Sequence, residues 1–268
     1  TSAGNDLYVA DLPAQINQHR RLVRYRVQAV DSKNMVTTVP YADDPQSNFA
    51  YFVYDGVPTW TAALGQGDPP QTFDFGAMRP LPIYQLISKR SEVQDAQFIP
   101  DSPFTSGYMG HDFIWQGALV YNGEVYDHIR YRARGGTWRY GMGKNMWKFD
   151  FNRGHWFQAI NDFGQPYATK WDKLNLGAVV QQSARLHRGE QGLFESVGFR
   201  LFRITGVEAP RTHFVHFRVI DENSEQGWNQ YNGDFWGLYL AVEQYDGNFL
   251  DEHGLPDGNL YKMEQFTG

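Results

Sequence analysis

The residues best suited to chemistry lie in one stretch, between Ile129 and Phe151, where basic side chains stand among glycines. Arg134, Arg139 and Lys144 are interleaved with glycines at positions 135, 136, 141 and 143. Glycine lets the backbone approach a ligand closely, and Arg or Lys supplies positive charge. The stretch therefore suits a phosphate or a carboxylate, with a glycine-rich hairpin carrying solvated arginines as the structural alternative. It is not a Walker phosphate loop, because Asn145 follows Lys144 where Ser or Thr is required and the glycine spacing is wrong.

Two predicted strands flank this glycine-rich stretch. Before it, Ile129, Tyr131 and Ala133 alternate with arginines at 130, 132 and 134, and after it aromatic residues at 147, 149 and 151 alternate with Met146, Lys148 and Asp150. A period of two is typical of a strand with one buried face. We expect the aromatic face to be buried and the arginines to point the other way.

Further elements follow from turn signals and periodicity. Asn122-Gly123 between two alternating runs predicts a hairpin, and the residues from Gly189 to Gly206 predict an amphipathic helix with a glycine cap. Strands are expected at HFVHFRVI and DFWGLYLAVEQY, then a helical turn over 246–252 and a last strand at NLYK. The apolar stripe of the helix consists of Leu193, Val197, Leu201 and Ile204, widened by Phe194 and Phe202.

The amino-terminal part reads as a separate module. RLVRYRVQAV and Phe49–Tyr54 predict two strands, and Pro and Gly residues then interrupt regular structure near LGQGDPPQ. We interpret residues 1–79 as the end of a β-sandwich plus a linker, and residues 80–268 as a second domain. Aromatic residues make up 16% of the chain and charged residues only 20%, which favours a β-rich α+β fold.

Composition excludes several classes of function. The net charge of −6 does not suggest binding to nucleic acid or to an anionic membrane. The chain has no cysteine, which rules out thiolate catalysis and Cys-based zinc sites. No apolar run approaches the ~20 residues of a membrane span. The first residues resemble no signal peptide and lack an initiator methionine, so we expect a processed chain or a piece of a longer one.

The order of elements is that of a protein-kinase amino-terminal lobe, in which a strand lysine pairs with a glutamate of the following helix and holds the ATP phosphates. By position the lysine is Lys144 or Lys148, and the helix offers Glu190 or Glu195. Glu243 would lie at the hinge beside the adenine.

Five blocks, GEVYDHIRYRARGG, MGKNMWKFDFNRG, LFESVGFRLFRITGVEAP, FWGLYLAVEQYDGNFL and DGNLYK, together resemble the spore coat protein H (CotH) kinase family over residues 83–262. The resemblance implies an atypical, secreted or surface-located bacterial kinase that uses ATP and Mg²⁺ to phosphorylate Ser or Thr. It assigns the phosphates to Arg134, Arg139 and Lys144, orientation of the lysine to Glu195, and the hinge to Glu243.

The resemblance assigns no catalytic or metal-binding residue within this chain. In the family, those aspartates lie in a carboxy-terminal lobe beyond the LYK strand, so we expect that lobe, or another chain, as a partner near NLYK. Phe194 also stands where relatives usually have arginine, which leaves Arg188 as the substitute.

Two other functions stay open. The chain could be a non-catalytic surface module or adhesin that contacts protein or carbohydrate through exposed aromatic residues. The acidic loops DENSEQGWNQYNGD and DEHGLPDGN are rich in oxygen ligands and could bind calcium, although neither has the spacing of a known calcium loop.

Overall fold

A computed structural model describes most of the chain. The described residues are 2–5, 7–63, 65, 67–97, 112–135, 144–161, 163–180, 190–221, 225, 229 and 232–261. Within these ranges, the helices are too short and too polar to cross a lipid bilayer.

The amino-terminal third forms short strands that pair two by two. The pairs are β1–β2, β3–β6, β4–β5 and β7–β8. The predicted strand RLVRYRVQAV is divided at Arg26, because its two halves pair with different partners. The elements are β1 (Ser2–Gly4), β2 (Leu7–Tyr8), β3 (Arg21–Tyr25), β4 (Val27–Val30), β5 (Val36–Val39), β6 (Phe49–Val53), β7 (Trp60–Ala62), β8 (Gln71–Phe73) and a short helix α1 (Phe75–Met78), with a 3₁₀ turn at Ala14–Ile16.

The rest of the chain builds a closed seven-stranded barrel, which confirms the expected β-rich α+β class. The strand order is β10-β11-β12-β13-β15-β14-β9; neighbours are antiparallel except β9 and β14, whose parallel pairing closes the barrel. The elements are β9 (Ile83–Ile87), α2 (Arg90–Ala96), β10 (Trp115–Tyr121), β11 (Glu124–Arg134), β12 (Met146–Asp150), β13 (Lys173–Gly177), α3 (Glu190–Ile204), β14 (Thr212–Ile220), β15 (Phe235–Glu243) and α4 (Gly247–Glu252).

The barrel interior is filled by the large side chains that the alternating patterns predict. Tyr131, Trp147 and Phe149 are completely buried, and Ile129 and Ala133 lie beside them. A barrel of this strand number has an interior just wide enough for side chains to fill. Part of the high aromatic content of the sequence is therefore used to pack this core.

The hairpin between β10 and β11 also forms as predicted. Asn122 and Gly123 both have positive φ, 51° and 79°, as a type I′ turn requires. Further along β11 the register shifts opposite Gly117–Leu119, and His128 takes a φ of 52°. This bulge keeps Tyr126 and Ile129, three residues apart, both inside the barrel.

The β3–β6 ribbon packs against the outside of the barrel. Leu22, Ala50 and Phe52 of the ribbon cover Ala118 and Val120 of β10. Two bidentate ion pairs reinforce this contact, with Arg24 donating to Asp127 and Arg20 donating to Asp234 at 2.6–2.7 Å. The division of the chain at residue 79 stays a prediction, but this ribbon shares a hydrophobic cluster and buried charges with the barrel.

The long helix α3 lies over the barrel near β14 and β15. Its C-terminal end has the expected glycine cap: Gly206 has a φ of 84°, and Val207 N–H donates to the Phe202 carbonyl at 3.0 Å, which is a Schellman motif. An amphipathic helix ordinarily packs its apolar stripe on the core. Here Leu193, Val197 and Leu201 are instead more than half exposed.

The face of α3 that contacts the barrel is made of smaller or polar residues and one aromatic ring. A Cβ on Gly192 would lie 2.7 Å from Val179, so the helix begins in close contact with the barrel. Phe199 joins a small cluster with Leu240 and Val242 of β15.

The predicted last strand at NLYK is wrong. Residues 259–261 have no regular structure, and Tyr261 is 87% exposed. The physical reason is the closure of the barrel, since β15 already pairs with β13 on one side and β14 on the other and offers no free edge.

Candidate functional site

The candidate site is the outer surface of β11, β12 and β13. Because Tyr131, Ala133 and Trp147 point inward, the residues between them point outward. The register places Arg132 beside Lys148, which in turn lies beside Asn175 of β13. Arg134 lies one step further along the same face, opposite Met146.

This surface is cationic, and its charges affect one another. Burial, followed by repulsion from Arg132, Lys173 and Arg134, lowers the pKa of Lys148 to about 8. Burial also lowers the pKa of Arg134. Among the described residues, neither Lys148 nor Arg134 has a carboxylate within ion-pair distance. An anion bound here would relieve both the repulsion and the loss of solvation.

Among the described residues, the carboxylate that faces Arg134 comes from helix α3. Glu195 lies over β13, with Oε2 only 3.5 Å from the position that a Cβ on Gly177 would occupy. Burial raises the pKa of Glu195, and the positive charge of Arg134 partly opposes this shift. The structure therefore brings together two residues that the sequence singled out, Arg134 and Glu195.

Lys144 lies elsewhere, at one end of the barrel. Its ammonium group donates a hydrogen bond to the Leu238 carbonyl and lies 4.0 Å from the centroid of the Tyr239 ring. The Leu238 carbonyl is two residues beyond the last β13–β15 pair, Gly177–Leu240, so Lys144 caps the end of the strand pairing. Burial lowers the pKa of Lys144 to about 7. Its role in phosphate binding stays a prediction.

Glu243 is almost completely buried and held by several groups. Its Oε2 accepts a hydrogen bond from the Arg211 N–H at 3.0 Å and lies 2.9 Å from His253 Nε2. The other ring nitrogen of His253 faces Glu208. Although burial opposes it, hydrogen bonds to Glu243 and Glu208 raise the pKa of His253. These contacts tie α4 to β15, and the hinge role of Glu243 stays a prediction.

The remaining sequence-based candidates are outside the described residues. Arg139 and Arg188 belong to segments that the structure does not describe, and the side chain of Glu190 is likewise not described. Of the two loops proposed for calcium, residues 221–234 are described only in part, whereas residues 251–259 are described throughout and begin with the end of α4. Within the described residues, no group of three His, Asp or Glu side chains is placed to hold a metal ion.

An acidic pair beside the cationic surface was missed by the sequence reasoning. Asp246 caps the start of α4 by accepting hydrogen bonds from Asn248 N–H and Phe249 N–H. Burial, with repulsion from the neighbouring Asp172, raises the pKa of Asp246 to about 7. An aspartate before a short helix is a recognisable capping signal. That Asp172 lies close to Asp246 depends on the tertiary structure, because Asp172 directly precedes β13 and is far from Asp246 in the sequence.

A closed barrel with one long helix and a cationic outer surface defines a β-rich α+β domain. The family model for the CotH kinase protein matches residues 132–267, slightly more than half of the chain. The match contains the end of β11, β12, β13, α3 and β15, which position every described candidate residue. The chain belongs to the CotH kinase family, as its sequence blocks indicate. A search of curated proteins found no matching relative.

Proposed function

We propose that this domain is the nucleotide-binding lobe of an atypical, CotH-like protein kinase. The observation that carries the proposal is that Glu195 of α3 faces Arg134 of β11, and that Arg134 is in turn near enough to Lys148 of β12 to help lower its pKa. In protein kinases, a strand lysine and a helix glutamate hold the ATP phosphates together; here Arg134 stands between the two. Lys148, the second of the two lysines favoured by position, fits this role better than Lys144.

The chemistry of the surface suits a polyphosphate. The guanidinium of Arg134 can bind phosphate oxygens with two parallel hydrogen bonds, and Lys148 supplies a point charge. Glu195 would hold Arg134 or Lys148 in place when the phosphates arrive. Phosphate binding would also favour the charged form of Lys148, which is disfavoured by burial and by its basic neighbours.

Magnesium would neutralise the phosphates when ATP binds. Since the described residues offer no three-ligand metal group, the proposal places Mg²⁺ on the phosphate oxygens. The carboxylates that complete its coordination, and the catalytic aspartate, would come from a carboxy-terminal lobe or another chain. Transfer to Ser or Thr, and a location at the bacterial cell surface, belong to the same proposal and rest on the family resemblance.

Calorimetric titration of the chain with ATP and Mg²⁺ tests this proposal, using Lys148→Met and the matched variant Lys144→Met. We expect Lys148→Met to weaken binding about tenfold or more, the loss of about 1.4 kcal/mol expected for a charged hydrogen bond. Lys144→Met should leave affinity nearly unchanged, because its ammonium group is engaged by Leu238. Affinity should also fall as the pH rises above 8, where Lys148 loses its proton.

Two results would count against the proposal. If Lys144→Met abolishes binding while Lys148→Met does not, the phosphate site lies at the barrel end instead. If the wild-type chain binds neither ATP nor tripolyphosphate, the reading as a non-catalytic surface module takes its place.

A further inference from the structure

The short helix α4 is held against the barrel by ionisable side chains at both of its ends. It spans only Gly247–Glu252, and its buried side chains are those of Phe249 and Leu250. A helix this short is marginal by itself in water, so its contacts with the barrel decide whether it stays in place. At each end, these contacts bring together groups that fit one another only when one of them is protonated.

At the N-terminal end, the two carboxyl groups of Asp246 and Asp172 contact each other. Asp246 Oδ1 accepts the capping hydrogen bonds of α4, and Asp172 Oδ2 lies 2.5 Å from the ammonium group of Lys173. The remaining oxygens, Asp246 Oδ2 and Asp172 Oδ1, are buried and accept no hydrogen bond from a described residue. One proton shared by the two carboxyl groups satisfies both, whereas two ionised carboxylates would repel each other.

The cations near Asp246 do not replace this proton. Lys173 attracts Asp246, but it is hydrogen-bonded to Asp172 and lies 4.0 Å from Asp150. Lys148 also feels the charge of Asp246, but burial and basic neighbours disfavour its own charged form. On balance, burial and the charge of Asp172 raise the pKa of Asp246 to about 7. Asp246 therefore keeps its proton below neutral pH.

At the C-terminal end, the ring of His253 lies between two carboxylates. Its Nε2 lies 2.9 Å from Glu243 and its Nδ1 lies 2.5 Å from Glu208, and the side chains of His253 and Glu243 are only 1% and 2% exposed. A neutral imidazole has one N–H, so its other nitrogen would present a lone pair to a carboxylate. The arrangement therefore requires the imidazolium form. Burial and the nearby Arg211 oppose this charge, but the hydrogen bonds to both glutamates raise the pKa of His253.

The β3–β6 ribbon is attached to the barrel by charges of a different kind. Asp127 and Asp234 accept bidentate hydrogen bonds from Arg24 and Arg20, and arginine stays charged at any physiological pH. The contacts of α4 depend instead on a carboxylic acid and an imidazolium. The attachment of α4 therefore responds to pH near neutrality, where these arginine pairs do not.

We propose that α4 is a latch closed by two protons, one shared by Asp246 and Asp172 and one on His253, and that the latch opens as the pH rises through neutrality. Both protons are bound more tightly when α4 is docked than when it is released, because docking creates the contacts that hold them. Docking is therefore favoured at low pH and weakened as the pH rises. The acidic pair contributes between about pH 4 and pH 7, and His253 contributes above about pH 6.5. Because α4 directly follows β15, opening frees the end of that strand, where Glu243 lies.

Hydrogen exchange measured by NMR on the whole chain, without nucleotide and between pH 5 and pH 8, tests this proposal. The readouts are the protection factors, corrected for the intrinsic pH dependence of exchange, of the amides of Leu250, His253 and Leu255, whose hydrogen bonds close α4 and the turn after it. We expect this protection to fall about tenfold or more across the range, as a net pKa difference of about one unit predicts. Amides in the barrel strands should change much less.

Glu208→Gln is the diagnostic variant, because an amide can either donate to or accept from a neutral imidazole. In this variant the protection of α4 should no longer fall above about pH 6.5. Asp172→Asn should raise protection about twofold at pH 8 and less at pH 5, after allowance for solvent screening. Asp251→Asn is the matched control, since Asp251 is an exposed carboxylate on the same helix, and it should keep the pH dependence of the wild type.

Three outcomes would overturn the proposal. Protection of α4 could be independent of pH, or it could fall by the same factor as protection of the barrel strands, which would indicate global unfolding. The Glu208→Gln chain could also keep the full pH dependence of the wild type. None of these measurements depends on nucleotide binding, so the latch and the proposed kinase function can fail separately.

Discussion

The barrel's outer surface is covered by the β3–β6 ribbon on one side and by α3 on another, and the charged side chains at these two contacts differ in how they are paired. Under the β3–β6 ribbon, Arg24 and Arg20 each meet an aspartate with two short hydrogen bonds. Beside α3, Arg134 and Lys148 lie partly buried among other cations, and the single carboxylate of Glu195 faces Arg134 without forming an ion pair.

The difference gives a criterion for telling structural charges from candidate functional ones. A buried charge that is fully paired costs little once the pair has formed, and removing one partner is strongly destabilising. Neighbouring like charges that are only partly compensated lower stability until an anion binds, and such perturbed groups cluster at functional sites. On this criterion the arginines at positions 20 and 24 hold the fold together, whereas Arg134 and Lys148 are candidates for a site.

The largest effect is expected on the ribbon side. Asp234→Asn should leave the almost completely buried guanidinium groups of Arg20 and Arg218 without their shared carboxylate. The free energy of unfolding should fall by about 3–5 kcal/mol, as for other broken buried pairs, which urea denaturation would measure. The control is Arg90→Ala, which removes an exposed pair with Asp221 and should cost less than about 1 kcal/mol. Equal effects of the two variants would show that the ribbon is not fixed by this ion pair.

A smaller effect of opposite sign is expected on the helix side. Lys148→Met should raise the free energy of unfolding by about 1 kcal/mol at pH 7, because it removes a buried cation next to Arg132 and Arg134 while keeping an apolar chain of similar length. The pKa of Lys148 is lowered to about 8 in the folded chain, so the unfolded state binds more protons between pH 8 and about 10.4. Wild-type stability should therefore rise with pH across that window.

The difference in the free energy of unfolding between wild type and Lys148→Met should accordingly shrink as the pH rises from 8 to 10. Urea denaturation at several pH values would measure it. A constant difference would mean that Lys148 acts through packing alone, and a destabilised variant would contradict the classification of Lys148 as a site residue.

The smallest effect is expected at the acidic pair beside the site. The pKa of Asp246 is raised to about 7, so ionising it costs stability progressively between about pH 4 and pH 7. Asp172→Asn should remove part of that loss and raise the free energy of unfolding by about 0.5 kcal/mol at pH 8, after allowance for solvent screening, with no gain at pH 4. Thermal unfolding at the two pH values tests this, and a gain of equal size at both would exclude repulsion between the aspartates as the cause.

The candidate site could be predicted from the sequence only in part. Alternation in RYRAR and MWKFD places Arg134 and Lys148 on the outer side of the sheet, and the helix with Glu195 follows from its periodicity. The sequence could not distinguish Lys144 from Lys148 as the phosphate-binding lysine, because Lys144 directly precedes β12 and Lys148 lies within it. Our preference for Lys148 rests on the end of β13 at Gly177, which leaves the Leu238 carbonyl for Lys144 to cap.

The sequence by itself determined most strands of the barrel, the type I′ hairpin, the glycine cap of α3 and the family. These features depend on residues close together in the chain, through side-chain period, turn chemistry and local backbone conformation. The tertiary structure alone decided the closure of the barrel, the outward direction of the apolar face of α3, and the pairing of Arg20 and Arg24 with aspartates more than a hundred residues away. These depend on which surfaces meet in three dimensions, since periodicity shows that a face is apolar but not what covers it.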